Sequence, residues 1–311
     1  MTLPDRYVGC DVSKRWLDIF DPHEGRPRRI ANTKADAARL AATLAAGGAF
    51  AVFEATGTYD RDLAGALHAA GVAHARINPT RARRYAQARG RRAKTDALDA
   101  AMLADLGARL QPDPDPPPCP HRERLAALSL RRDQLVAMRA AETVRLEAAR
   151  ERFVREQIAD HIAQLATAIT EIETQMDRLV AASTTLKDQA AILATAPGIG
   201  PVAARVLLAL MPELGRTSPK RLAALAGLAP FNHDSGQLKG RRCIAGGRRR
   251  VRAALFIAAM HAARRCPDLK AFADRITDTA GARKVALIAV ARKLLTRLNA
   301  MIRDQTPYRA N

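Results

Sequence analysis

Four acidic residues carry the first chemical signal in this chain: Asp11, Glu54, Asp96 and Asp99. Asp11 closes a β-rich stretch, YVGCDV, and by the two-residue period of a strand it faces away from Val8, Cys10 and Val12. Glu54 ends the apolar run AFAVFE with no basic residue near it in sequence. Thr95 can cap a helix, which sets Asp96 and Asp99 on one face of its first turns. Each alone has a bland reading, as a helix-dipole partner, a turn cap or a solvated side chain. Together, at strand ends and a helix start, they make an all-oxygen donor set. Mg²⁺ takes such ligands in a near-octahedral array at about 2.0–2.1 Å, and two ions about 3.5–4 Å apart clamp the attacking and leaving oxygens of a phosphodiester. Mn²⁺ suits the same ligands.

A second signal is HDSGQLKGRRCIAGGRRRVR at 233 to 252, where Ser235 sits in a glycine-rich loop followed by seven Lys or Arg. A serine hydroxyl needs a base or a nearby metal to become a nucleophile, and guanidinium groups stabilise charge on a pentavalent phosphorus. By spacing alone, Asp-Ser-Gly reads as a turn. Lys239, Arg241, Arg242, Arg248, Arg249 and Arg250 are the candidate phosphate contacts around it. Residues 76 to 95, RINPTRARRYAQARGRRAKT, carry eight Lys or Arg and no acid. A solvated basic face is the alternative there, but the run immediately precedes Asp96, where a phosphate backbone must be held. That nominates Arg81, Arg83, Arg84, Arg89, Arg91, Arg92 and Lys94. At 194 to 204, ATAPGIGPVAA resembles a helix-hairpin-helix: Gly198 and Gly200 permit a tight turn whose amides, with the next helix N-terminus, hold a DNA phosphate. A plain interhelical turn fits the same residues.

The elements that must position these groups follow from periodicity. YVGCDV and WLDIF read as strands around a turn at Ser13 and Lys14, with a third strand near Arg28 to Ala31. A helix from Thr33 to Ala46, a strand at 49 to 54, a helix from Thr58 to Ala70 and a strand at Val72 to Ile77 continue the chain. A meander followed by β-α-β-α is the order of an RNase H-like fold, though many α/β topologies share it. QPDPDPPPCP at 111 to 120 marks a domain boundary. Beyond it, Ile158, Ile162, Leu165, Ile169, Ile172, Met176, Leu179 and Leu186 follow alternating 4,3 spacing, broken by Ser183. That seam reads as helix pairing between subunits; the alternative is one long helix packed on its own domain.

Composition bounds the partners. Fifty-one Lys plus Arg against 31 Asp plus Glu leave a net charge of +20 over 311 residues, which calls for a polyanion. Aromatic residues at 4% disfavour a base-stacking platform. No run of about 18 apolar residues and no signal-peptide pattern occur, so a cytosolic protein without a membrane partner is expected. Cys10, Cys119, Cys243 and Cys266 fall into no zinc spacing and read as reduced, mostly buried thiols.

GCDVSK at 9 to 14, FEATG at 53 to 57, KTDALDA at 94 to 100, APGIGPVAA at 196 to 204 and SGQLKGRRCIAGGRRRVRAALF at 235 to 256 together resemble the insertion sequence 110 family of DEDD transposases. That family is related to the Piv-type DNA invertases and includes recombinases guided by a bridge RNA. The resemblance runs over nearly the whole chain. It implies metal ligands at Asp11, Glu54, Asp96 and Asp99 and a catalytic serine at Ser235. The implied architecture is a RuvC-like (RNase H-like) α/β domain at 1–110, a Pro-rich linker at 111–121, a helical coiled-coil segment at 122–190 used in oligomerisation, and a helical C-terminal transposase domain at 191–311. The implied partners are DNA, a structured guide RNA and further copies of the chain as a dimer or tetramer, with the serine completing a metal site on another subunit. A phosphoserine intermediate would retain phosphodiester energy, so rejoining needs no ATP. Two other readings remain open on the residues themselves: a RuvC-like nuclease or junction resolvase that uses water, and a non-catalytic nucleic-acid-binding protein.

Overall fold

Alternation builds the first strand. In β1 (Tyr7–Val12), Val8, Cys10 and Val12 join one hydrophobic core while Tyr7 joins another on the opposite face, which Gly9 and Asp11 share by period two. The computed structural model describes residues 5–90, 96–231 and 243–309, with the side chains of 96–98 and 280 excepted. The chain divides into two compact units, Met1–Pro118 and Cys119–Asn311.

In the first unit β2 (Trp16–Phe20) and β3 (Pro27–Ala31) extend β1 as an antiparallel meander. After α1 (Lys34–Ala46), β4 (Phe50–Glu54) pairs parallel with β1, and after α2 (Arg61–Ala69), β5 (His74–Ile77) pairs parallel with β4. The sheet order is β3-β2-β1-β4-β5, and order and directions are consistent with an RNase H-like domain. β4 is central, which explains why its run FAVF is buried on both faces. One face packs Val8, Cys10, Val12, Ala51 and Phe53 against Leu40, Leu44, Leu63 and Leu67 of α1 and α2. The other packs Tyr7, Phe50, Val52 and Ile77 against Ala82 of α3 (Pro79–Ala88) and Met102, Leu103 and Leu106 of α4 (Asp96–Leu110). The Pro-rich stretch is pinned at one point: the Asp115 amide donates to the His74 carbonyl at 2.7 Å, and its carboxylate meets Arg76 at 2.6 Å.

Gly9 sets the depth at which α4 sits. A Cβ there would lie 2.0 Å from the Ala100 carbonyl oxygen and 2.6 Å from the Ala104 nitrogen, so helix and strand backbones touch.

The second unit begins with α5 (Pro120–Ala148) and α6 (Arg152–Ala181), which fold back on each other. Arg132 meets Glu173 at 2.5 Å and His161 meets Glu142 at 3.5 Å, so the pair is antiparallel. Leu165 and Ile169 of the heptad seam pack on Leu135 of the same chain, with Val136, Ala168 and Ile172 beside them. Met176, Leu179 and Leu186 join the core formed by the helices that follow. The expected seam between subunits therefore gives way to an intrachain hairpin: an α5 partner 30 residues upstream satisfies the same spacing. Ser183 breaks the seam because it ends one helix and caps the next, α7 (Thr184–Ala194), accepting from the Leu186 amide.

The rest comprises α8 (Pro201–Leu210), α9 (Pro219–Leu225), a short antiparallel pair β6 (Pro230–Phe231) and β7 (Cys243–Ile244), then α10 (Arg249–Arg265), α11 (Pro267–Ala280) and α12 (Arg283–Asp304). Pro79, Pro120, Pro201, Pro219 and Pro267 each open a helix, where the missing N–H costs nothing. Leu207, Leu255, Val290, Leu294 and Leu298 form the buried centre. Among the described residues no helix is long and apolar enough to cross a membrane.

Two substitutions test this packing. Gly9→Ala should destabilise the first unit by about 3 kcal/mol, the upper range for overpacking, read as a drop in the thermal midpoint. Ile169→Ala should cost about 2–5 kcal/mol by urea unfolding, equally in dilute and concentrated protein; a loss that shrinks with protein concentration would return the seam to an intersubunit role.

Candidate active site

β1 and β4 run parallel with Cys10 opposite Phe53, so Asp11 and Glu54, one residue further on in each strand, stand side by side at the strand ends. Both belong to the face covered by α4. That helix runs antiparallel to β1: a Cβ on Gly107 would meet Tyr7 and Val52, while Ala104 and Ala100 lie over Gly9. Continuing in the same direction, Asp99 and the helix start at Asp96 lie toward Asp11 and Glu54. Three chain segments far apart in sequence thus end at one edge of the sheet. Among the described residues no group of three His, Cys, Asp or Glu closes into a metal site, and the Asp96 side chain lies outside them. The donor chemistry nonetheless fits a hard divalent cation, since every nominated ligand is a carboxylate.

Residues that the sequence reading missed hold this edge together. Asn32, just after β3, donates from Nδ2 to the Ser13 carbonyl at 2.8 Å and to the Tyr59 carbonyl at 3.0 Å, tying the turn after Asp11 to the loop after Glu54. Ser13 closes its own turn on Trp16, its hydroxyl donating to the Trp16 carbonyl at 3.0 Å. Among the described residues, Asn32 Oδ1 and Thr56 Oγ1 are buried without a hydrogen-bond partner. Asp60, in the same loop region, is buried, and burial pushes its carboxyl above the usual range. Asp18 is the cross-strand partner of Asp11 and is held by Arg29 of β3. Cys10 faces the opposite core, where burial pushes its thiol up to about 12, which removes it as a nucleophile beside Asp11.

The basic run becomes helix α3, started by Asn78, whose side chain accepts from the Thr80 amide at 2.9 Å. Arg81, Arg83 and Arg84 are exposed on it. Arg89 instead meets Asp105 of α4 at 3.2 Å, a carboxylate that also accepts from Tyr85 at 2.7 Å and Arg109 at 2.8 Å. Arg89 therefore joins α3 to α4. Arg91, Arg92 and Lys94 lie outside the described residues, as does the proposed cap Thr95.

In the second unit, the turn between α7 and α8 carries Gly198 at φ +80°, where a Cβ would lie 2.2 Å from the Ala258 carbonyl oxygen. Its first role is to let the turn press onto α10. Gly200 caps α8 with an ordinary φ of −91°. Beside the turn a cavity of about 740 Å³ is lined largely by Ala, Ile and Val residues, including Val202, Ala254 and Ile257.

Ser235, Lys239, Arg241 and Arg242 lie outside the described residues, in the stretch between β6 and β7. What holds that stretch at its base is described. Phe231 pairs with Cys243, Arg252 Nη1 donates to the Gly246 carbonyl at 2.7 Å, and Gly247 lies against the backbone of Gly227. Arg248 and Arg250 are struts: Arg248 forks onto Glu213 with two contacts of 2.6 Å, and Arg250 reaches Asp133 and Ser129 at 2.7 Å each. Arg249 is exposed. Of the four cysteines, Cys10 and Cys266 are buried, Cys119 is half-buried and Cys243 is exposed.

Burial pushes Glu213 up, but the Arg248 fork outweighs it and holds the carboxyl below its ordinary value of 4.5. A depressed folded value means that the stabilisation is present above pH 4.5 and is lost as pH falls through the folded value. Arg248→Met should therefore melt below the parent chain at neutral pH, and the gap should narrow as melts are taken below pH 4.5.

Comparison with known proteins agrees with this geometry. Residues 190–274 match the Transposase IS116/IS110/IS902 family, and residues 8–153 match a transposase family of the DEDD IS110 type. The chain is 34% identical over 264 residues to the Pilin gene-inverting protein of Moraxella bovis, covering 83% of this chain and 81% of the relative. The corresponding protein of Moraxella lacunata is 33% identical over the same length. A 43.6 kDa protein of insertion element IS110 from Streptomyces coelicolor is 31% identical over 153 residues, 47% of this chain and 38% of that protein. With both ends of the chain matched in order, and a relative aligned along most of its length, the chain belongs to the IS110 family of transposases and DNA invertases.

Proposed function

We propose that this transposase cuts and rejoins DNA through a phosphoserine intermediate, with Asp11, Glu54, Asp96 and Asp99 holding Mg²⁺ and Ser235 attacking the phosphodiester. The observation that carries the reading is the side-by-side placement of Asp11 and Glu54 at the ends of parallel strands, with the start of α4 brought to the same edge by Gly9. When bound there, the cation neutralises developing charge on the phosphate oxygens. The Ser235 oxygen forms a new bond to phosphorus, its proton passes to a base or bound hydroxide, and one bridging sugar oxygen leaves as a hydroxyl. Attack by a second strand's hydroxyl reverses the step, releasing Ser235 and sealing the new junction, so the number of phosphodiesters is conserved. Exposed Arg81, Arg83, Arg84 and Arg249 are suited to the phosphate backbone, while Arg89, Arg248 and Arg250 act first through the internal ion pairs that shape the protein. A structured guide RNA and a dimer or tetramer complete the reading, with Ser235 of one copy serving the carboxylates of another.

Single replacement of Asp11, Glu54, Asp96 or Asp99 by Ala should abolish strand exchange and leave nucleic-acid affinity within a few-fold of the parent; near-normal recombination by two such variants removes the carboxylate site. For Ser235, labelled DNA carrying the recognition site is mixed with protein and Mg²⁺, quenched in denaturant and tested for label migrating with protein. The adduct should map to Ser235 by mass spectrometry and vanish in Ser235→Ala. Nicked DNA accumulating in Ser235→Ala without rejoining would instead favour a water-using nuclease.

A further inference from the structure

Asp18 is an anomaly on β2. It stands directly opposite Asp11 in the antiparallel ladder, so both side chains leave the same face of the sheet. It is only 7% exposed. Two like charges so placed repel, yet neither is replaced by a neutral residue. The compensation comes from the next strand, where Arg29 is in turn the cross-strand partner of Asp18. Its fork occupies both carboxylate oxygens, Nε to Oδ1 at 2.8 Å and Nη2 to Oδ2 at 3.1 Å. The guanidinium also lies over the Trp16 ring, 5.9 Å from its centroid. A row of alternating duty therefore crosses three strands at the level of Asp11: anion, anion, cation.

We propose that Asp18 and Arg29 are the charge-setting pair of the carboxylate edge: Arg29 keeps Asp18 from serving as a fifth ligand and fixes it as an outer anion beside Asp11. This rests on the reading of Asp11 as a metal ligand. Both are positioning residues in this scheme, acting through Asp11 with no contact to the reacting atoms. The argument is one of sign. Neighbouring strands are about 4.8 Å apart, so the negative end of the pair is a strand nearer to Asp11 than its positive origin, and the pair favours a dication there. Removing Asp18 leaves a cation with no anion beside a cation site. Removing Arg29 leaves a second carboxylate with its oxygens open toward Asp11. The two losses should shift affinity in opposite directions, which a purely structural ion pair has no reason to do.

The test is a Mn²⁺ titration of the full chain without DNA, followed by calorimetry and by fluorescence of Trp16, the single tryptophan. Asp18→Asn should weaken Mn²⁺ binding about tenfold, the usual scale for an outer partner of a metal ligand. Arg29→Gln should tighten it by a similar factor while strand cleavage at saturating Mn²⁺ falls, because the extra carboxylate misplaces the ion. Asp18→Asn with Arg29→Gln, which removes both charges and keeps side-chain volume, should return to within about threefold of the parent chain, and it guards against a single variant that fails to fold. Changes confined to the metal-free melting temperature, or shifts of the same sign in both single variants, overturn the proposal. Asp11→Asn separates the two levels of the argument. If it loses Mn²⁺ binding while the pair variants keep it, only the role of Asp18 and Arg29 falls. If Asp11→Asn or the parent chain behaves as though Asp11 were irrelevant to Mn²⁺, the carboxylate reading falls as well.

Discussion

The first unit depends on a contact between two backbones. Because residue 9 has no side chain, α4 lies directly on β1, with the Ala100 carbonyl occupying the place a Cβ would take. That closeness fixes more than packing density. Helix and strand cannot slide past one another without driving Ala104 or Gly107 into Tyr7 or Val52, so the register between them is set to within a fraction of a turn. Since α4 runs antiparallel to β1, the start of the helix overhangs the strand ends, and two short spans of sequence 85 residues apart are brought to one edge. The opposite face of the sheet, sealed by α1 and α2, makes the platform stiff enough for this to matter. Carboxylates that must share a small cation need such a platform, because a displacement of about an ångström is enough to lose the geometry.

The second unit is organised by arginine. A net charge of +20 invites the reading that every basic cluster faces nucleic acid, but many guanidinium groups are spent inside the fold. Arg205 grips Asp177 at 2.6 Å, Arg132 meets Glu173, Arg248 meets Glu213 and Arg297 meets Asp268 at 2.5 Å. These pairs link helices distant in sequence, and their planar forks orient as well as attract. Arg248 and Arg250 flank the stretch that carries Ser235, so the serine is framed by rigid struts with the exposed Arg249 between them. The alternation is consistent with a loop in which some cations position and others bind.

Much of this was legible in the sequence, for identifiable reasons. Period-two alternation in YVGCDV and the solid apolar run FAVF announce an edge-facing and a central strand, and the structure builds both as read. Asp11 and Glu54 were legible because carboxylates closing such runs have no packing role. What was illegible depended on partners. The 4,3 spacing of α6 specifies that a helix covers it but not whose helix, and Leu135 of the same chain does so. A basic run looks the same whether its cations face solvent or, like Arg89, bridge to Asp105. Asn32, Asp18 and Gly9 belong to no local pattern at all; their importance lies in which strand comes next to which.

That last class shows how a basic protein keeps an acidic edge. Placed among so many cations, four carboxylates would collapse onto the nearest arginines unless something kept the cations at a set distance. Cross-strand register supplies the distance, because a residue on β3 can approach β1 only across whatever β2 puts between them. Here β2 interposes Asp18, which takes the fork of Arg29 on itself. The guanidinium has reason to stay, since leaving would strand a buried carboxylate without a partner, and it is further held over Trp16. Electrostatic order at the edge is thus a property of strand pairing, and it follows from the same sheet topology that brings Asp11 and Glu54 side by side.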